Sequence, residues 1–202
     1  MSKFYTILEK INKEEISPYT SEEVYQVDDV ELFINALKTA QDKRTEDSLQ
    51  LYMPSEHEIR DIVNGGGSLF MTNDGLAGAY VKYDGYMGGL FKDPSSKRSQ
   101  ASKVLQKARI EAGGRFFDAF ATYLEPLYVK NGFRPLYRMD FDVDQAPTGW
   151  EDTNLRDKPD NVFFVYDPYG DYKVGDGEIL NDFEKAYELS KNYQKDVDSS
   201  II

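Results

Sequence analysis

Six cations, Lys92, Lys97, Arg98, Lys103, Lys107 and Arg109, share the stretch 92–109 with one acid, Asp93, in a chain whose formal net charge is −12. A local inversion of sign of this kind points to a held anion. Lys107 and Arg109 fall in the last turn of a predicted helix, where cations complement the helix dipole. Lys97 and Arg98 precede that helix, where the backbone amides already carry partial positive charge. Cations there cost about 0.3–1 kcal/mol each unless a negative group sits among them. A phosphate at the helix N-terminus would turn that cost into attraction; the competing reading is a solvated charged loop.

Other chemistries are narrowed by what the sequence lacks. It has no cysteine, which removes disulfides, thiolate zinc sites and cysteine nucleophiles and suits a reducing cytoplasm. The one histidine, His57, follows the capping serine of a surface helix, so a histidine-centred triad or a multi-histidine metal site is excluded. Gly65-Gly66-Gly67 lacks the Lys-Ser/Thr of a P-loop and reads as a helix stop. Asp167, Asp171, Asp176 and Glu178 miss the alternating spacing of an EF-hand and read as turn residues. The negative net charge disfavours general binding to DNA, RNA or anionic lipid, where phosphate neutralisation dominates. It would instead attract cationic partners, amines among them. No apolar run approaches the roughly 18 residues of a membrane span, and Met1-Ser2-Lys3-Phe4-Tyr5 opens no signal-peptide core. The expectation is a soluble cytoplasmic protein with no membrane and no nucleic-acid partner.

The elements that would position these groups can be read from periodicity. With 40% hydrophobic and 14% aromatic residues, the chain can bury a core and make one domain with appendages. Residues 1–27 offer a weak strand near Phe4–Leu8. Val30, Phe33, Ile34 and Leu37 then recur at i, i+3, i+4 and i+7 behind Asp28 and Asp29 as caps, which predicts a helix with one buried face. Asp42–Asp47 reads as a solvated loop. Ser55 and Glu58 form a capping box for a helix to about Val63. Ser68–Thr72 and Leu76–Lys82 read as a hairpin turning through Asn73-Asp74-Gly75. A third strand at Tyr86–Lys92 leads through Asp93-Pro94 to a helix with Ala101, Val104, Leu105, Ala108 and Ala112 on one face, ended by Gly113-Gly114. A strand at Phe116–Ala121, a helix at Leu124–Lys130, a turn at Asn131-Gly132 and a strand from Phe133 to about Phe141 follow. Val162–Tyr166 reads as a buried strand, and Ile179, Phe183, Ala186 and Tyr187 as one face of a final amphipathic helix.

In its middle section the sequence resembles the GNAT-type N-acetyltransferases, in which a strand, a phosphate-cradling loop, a helix and a second strand hold acetyl-CoA. Tyr86-Met87-Gly88-Gly89-Leu90-Phe91-Lys92-Asp93-Pro94 is similar to the family's fourth strand. Lys97-Arg98-Ser99-Gln100-Ala101-Ser102 sits where its Q/R-x-x-G-x-G/A loop belongs. Gln100 and Ser102 fill the two small positions, and glycine there would let the backbone approach a pyrophosphate without an intervening side chain. Leu127-Tyr128-Val129-Lys130-Asn131-Gly132-Phe133 matches the L-Y-x-x-x-G-F signature after the fifth strand, Phe116–Ala121. The family's usual asparagine just after that strand is Ala121 here. Phe141–Asp167, with Trp150 as an anchor, resembles the C-terminal part of GNAT-like proteins carried by phages and prophages. That segment would wrap back to add a strand beside the sixth.

The resemblance implies an α/β, GNAT-like acyl-CoA N-acyltransferase fold. Its sheet would be mixed and mostly antiparallel, with splayed fourth and fifth strands flanked by helices. The implied organisation is a GNAT-like domain over residues 1–170, with core 28–141 and a C-terminal strand at 162–166, and a helical extension over 171–202. Acetyl-CoA would pair through its pantetheine arm with the backbone of Leu90, Phe91 and Lys92. Its phosphates would meet Lys97, Arg98, Ser99, Gln100, Ala101, Ser102 and Lys103. Tyr128 falls on the family's general acid; a phenol of pKa about 10 stays protonated at neutral pH and can donate to a leaving thiolate. An attacking amine must be deprotonated, and Asp118, Glu125 and Asp84 are the carboxylates placed to assist. The acceptor would be a cationic amine, on a small molecule or a protein. The rival reading is a non-catalytic GNAT-like interaction or structural protein whose Gln100 and Ala121 mark a degenerate cofactor site. A third is an acidic mimic of nucleic acid.

Overall fold

Asp29 closes the first turn of the helix that the 30–37 spacing predicts, α1 (Val30–Asp42), by accepting the Leu32 amide at 3.1 Å. Likewise Ser55 and Glu58 form both halves of a capping box at α2 (Glu56–Asn64), satisfying two amides that the first turn would otherwise leave open. These local rules operate in a computed structural model that describes residues 24–43, 54–97, 100–121, 124–142 and 158–200, with side chains to 193. The chain forms two compact units, one of residues 1–48, 52–83 and 87–114, the other of residues 49–51, 84–86 and 115–202.

In the first unit, β1 (Val24–Val27), β2 (Ser68–Thr72), β3 (Ala77–Val81) and β4 (Met87–Lys92) make an antiparallel sheet in that order. Against it pack α1 and α3 (Ala101–Glu111). All five residues of β3 are buried, as in a strand covered on both faces. The core is aromatic and aliphatic: Phe33, Phe70, Phe91, Ile59 and Leu105 are fully buried, and Phe33 meets Phe91 edge to face at 5.5 Å.

The second unit holds β5 (Phe116–Phe120), α4 (Glu125–Lys130), β6 (Phe133–Met139), β7 (Asn161–Tyr166), β8 (Glu178–Ile179) and α5 (Phe183–Ser200). Its sheet has the order β5-β7-β6-β8, antiparallel except for β6 with β8. Val162 to Val165 have no exposed surface, which explains why β7 reads as a continuous apolar run rather than an alternating one.

The α/β class and the mostly antiparallel pairing are as the sequence suggests, with differences in detail. The strands form two four-stranded sheets rather than one. β7 does lie beside the sixth strand, but it also pairs with the fifth along Phe116–Phe120, a partnership that apolar periodicity does not specify. Ile179 is not in the last helix; it sits in the two-residue strand β8 and is 62% exposed. Helix α5 packs on β5, β6 and β7, with Ala186 and Ser190 fully buried. The weak strand at Phe4–Leu8 and the Trp150 anchor lie outside the described residues.

Candidate functional site

In the first unit, the site begins with a break in the β3–β4 register. Gly78 faces Phe91 and Tyr80 faces Gly88, so β4 takes three steps where β3 takes two. That is a β-bulge, an extra residue that locally takes backbone groups out of the ladder. Gly89 stands at φ +57°, and a Cβ on Gly88 or Gly89 would run into the Tyr80 ring. The two glycines thus permit both the bulge and the close approach of Tyr80. Resemblance placed this strand without signalling its bulge; two glycines inside a strand pattern were the available sign. β4 is also the edge of its sheet. Of the residues expected to meet the pantetheine arm, Phe91 turns its ring into the core, Leu90 is half-buried and Lys92 is exposed.

From the end of β4 the chain enters a tight turn. Asp93 is 1% exposed, and its Oδ1 accepts from the Ser95 amide at 2.8 Å and the Ser95 hydroxyl at 2.6 Å. Its Oδ2 accepts from Lys43 at 2.7 Å. Burial alone would raise the Asp93 carboxyl; the hydrogen bonds from Lys43 and Ser95 outweigh it and hold the group below its usual range. A lowered folded value contributes stability that is present above the unfolded carboxylate pKa and lost as pH falls through the folded one. Lys43, expected in a solvated loop, is therefore half of a tertiary contact. It neutralises the one acid of the cationic stretch.

Helix α3 then starts without a side-chain cap: Gln100, at the cap position, makes no capping hydrogen bond, and the first turn holds no acid. The Lys103 and Val104 amides donate to the Gln100 carbonyl at 3.0 and 3.1 Å. The amides of Ala101 and Ser102 lie ahead of the first intrahelical bonds. Lys97, Gln100, Ser102 and Lys103 are exposed and Ala101 is buried; Arg98 and Ser99 lie outside the described residues. Lys107 is exposed, whereas Arg109, read from sequence as a last-turn cation that complements the helix dipole, is only 4% exposed.

The second unit contains Tyr128, Asp118 and Glu125. Tyr128 lies in the first turns of α4, its amide donating to the Leu124 carbonyl at 3.0 Å. Its half-buried ring packs edge to face on Phe117 at 4.8 Å and tilted against Phe164 at 5.2 Å. Gly132, at φ +86°, ends the helix and lets Phe133 enter the core as the first residue of β6. This is the physical content of the L-Y-x-x-x-G-F spacing. Asp118 on β5 accepts from the Tyr86 hydroxyl at 2.6 Å and from the Asn161 side-chain Nδ2 at 3.0 Å. Glu125, 5% exposed, pairs with Arg138 and accepts the Gly175 amide at 3.0 Å. Asp84 accepts the Tyr187 hydroxyl at 2.8 Å, an anchor for α5.

Arg138 also donates to the Asp176 carbonyl at 2.7 Å and to Asp160 at 3.4 Å. Sequence offered no sign of this arginine, which ties α4, β6 and the loop before β8 together. Because Arg138 keeps these other partners, Glu125→Ala is expected to cost about 1–3 kcal/mol, the range for leaving buried polar groups short of a partner. Urea denaturation checks this; a change under about 0.5 kcal/mol would contradict a holding role for Glu125.

No helix is long and apolar enough to cross a membrane, and no cluster of three or more metal-ligating side chains is present, among the described residues. No protein-family model matches the chain, and no curated protein matches it. Among solved structures it is similar to an acetyltransferase of the GNAT family from Staphylococcus aureus Mu50, with 14% identity, TM-score 0.43, and coverage of 72% of this chain and 98% of that one. It is also similar to yncA from Salmonella typhimurium, assigned as an acetyltransferase and solved with its cofactor acetyl-CoA, with 7% identity, TM-score 0.46, and coverage of 75% and 96%. A Mycobacterium tuberculosis protein in complex with CoA matches at 9% identity and TM-score 0.39, with coverage of 70% and 98%. The expected kinship with phage-carried proteins gains no support from these comparisons.

Proposed function

We propose that the chain is an acetyl-CoA-dependent N-acetyltransferase acting on an amine. The observation that carries this reading is the bulged edge strand β4 running through a fixed turn into a helix whose N-terminus has no side-chain cap and is preceded by an exposed cation. The residues present suit acetyl-CoA at each of these points. The β4 edge offers backbone at Leu90, Phe91 and Lys92 for pairing with an amide-containing arm. The first-turn amides of Ala101 and Ser102, with Lys97, Lys103 and the adjoining Arg98 and Ser99, suit a pyrophosphate. Gln100, which fills a position that glycine occupies in the resembled loop, leaves those amides free of its own side chain.

Acetyl-CoA supplies an activated acetyl thioester. Tyr128 is assigned the proton donor to the departing sulfur, on the match of Leu127–Phe133 to the family signature and on the chemistry of a phenol that stays protonated at neutral pH. Asp118 and Glu125 are assigned as holding groups rather than bases, since the two Asp118 oxygens take the Tyr86 hydroxyl and the Asn161 side-chain amide, and Glu125 is buried with its Oε1 shared by Arg138 and the Gly175 amide. The acidic surface, at net charge −12, favours a cationic amine acceptor. A cytoplasmic location belongs to the same reading.

A non-catalytic module is the second reading, favoured by Gln100 and Ala121 at positions where the family carries a small residue and an asparagine. Titration with acetyl-CoA, followed by an assay of free thiol released from acetyl-CoA in the presence of a panel of cationic primary amines, separates the two. Binding together with amine-dependent release is expected. Binding with no release across the panel would favour the module, and no binding would remove the enzyme reading.

A further inference from the structure

Asp93 does more than end β4. Its own amide donates to the Leu76 carbonyl at 2.7 Å and its carbonyl accepts the Ser96 amide at 2.9 Å, while its carboxylate gathers Ser95 from the turn and Lys43 from just beyond α1. Ser96, 7% exposed, sends its hydroxyl to Asp74 Oδ2 at 3.3 Å. Asp74 is itself fixed in the β2–β3 turn, its Oδ1 accepting from the Thr72 hydroxyl at 2.6 Å and the Leu76 amide at 3.1 Å. The four residues 93–96 are thereby fastened on two sides, to the end of α1 and to the β2–β3 turn, immediately before exposed Lys97 and the uncapped start of α3. Preorganised loops bind more tightly because the ordering cost is met before the ligand arrives.

We propose that Asp93, with Lys43 and the Asp74–Ser96 link, is a positioning clasp that holds residues 93–96 in place ahead of Lys97 and the start of α3 and so governs affinity for acetyl-CoA, without contacting it. The inference rests on the proposed acetyl-CoA site. Lys43 is half exposed and can be altered with little change to the core. Lys43→Met keeps the aliphatic stem and removes the cation; Lys43→Arg restores it.

The test is calorimetric titration of the full chain with acetyl-CoA. Asp93→Asn is expected to raise Kd about tenfold and Lys43→Met about three- to fivefold, with Lys43→Arg returning Kd to within twofold of wild type. Ile59→Val, a core change in the same unit, is the control for mere loss of stability: it lowers the thermal midpoint and leaves Kd unchanged. Should Asp93→Asn fail to fold, Lys43→Met and Ser96→Ala decide the matter. The clasp is overturned if the wild type binds and the folded variants bind equally well, or if Ile59→Val weakens binding as much as they do. A wild type that does not bind acetyl-CoA overturns the proposed function and the clasp with it.

Discussion

Tyr128→Phe is expected to lower the rate of amine-dependent thiol release by about 10²–10⁴, the usual contribution of a positioned general acid, while Kd for acetyl-CoA stays within about twofold of wild type. The substitution removes one oxygen and keeps the ring, so the contacts with Phe117 and Phe164 persist and the fold is left in place. The distinguishing signature is a fall in kcat and kcat/KM together, which reports an interaction made in the transition state rather than in ground-state binding. Turnover within threefold of wild type would strip Tyr128 of its assigned role, and a large loss of acetyl-CoA affinity would make it a binding residue instead.

Phe164→Ala is expected to destabilise the protein by about 3–5 kcal/mol, the range for removing a fully buried phenylalanine. Phe164 has no exposed surface. It stacks on Phe117 at 5.2 Å and touches Tyr128 at the same distance, so its ring is the wedge between β5, β7 and α4. Chemical denaturation measures the loss, read from the midpoint at constant slope. In the fraction that remains folded, Tyr128 loses a ring it packs against, and turnover should fall further than acetyl-CoA affinity. A destabilisation below about 1 kcal/mol would mean that the aromatic cluster collapses around the gap and does not fix Tyr128.

Local signals in the sequence were enough for most elements. Caps at Asp29 and Ser55, the 3.6-residue spacing in α1 and α3, and the Gly113-Gly114 stop each act through neighbours a few residues away, and the structure shows each. Pairings at long range were not legible. The insertion of β7 against β5, the Lys43 contact with Asp93 and the Arg138 network join residues tens of positions apart, and no periodicity encodes them. For the candidate site, the excess of cations over 92–109 and the Leu127–Phe133 signature pointed to two segments, which the structure forms as the end of β4 with α3 and as α4 with the start of β6. A count of charges carries no information on burial, and the structure buries both Asp93 and Arg109. The bulge at Gly88-Gly89 was written in the sequence as two glycines within a strand.

Titration of the wild-type chain with acetyl-CoA bears most directly on the bulged β4 edge and the uncapped α3 as a cofactor site. Saturable one-to-one binding with a Kd between about 1 µM and 1 mM, the usual range of substrate constants, is the predicted result. No heat of binding up to several millimolar acetyl-CoA, from protein shown to be folded, would contradict it.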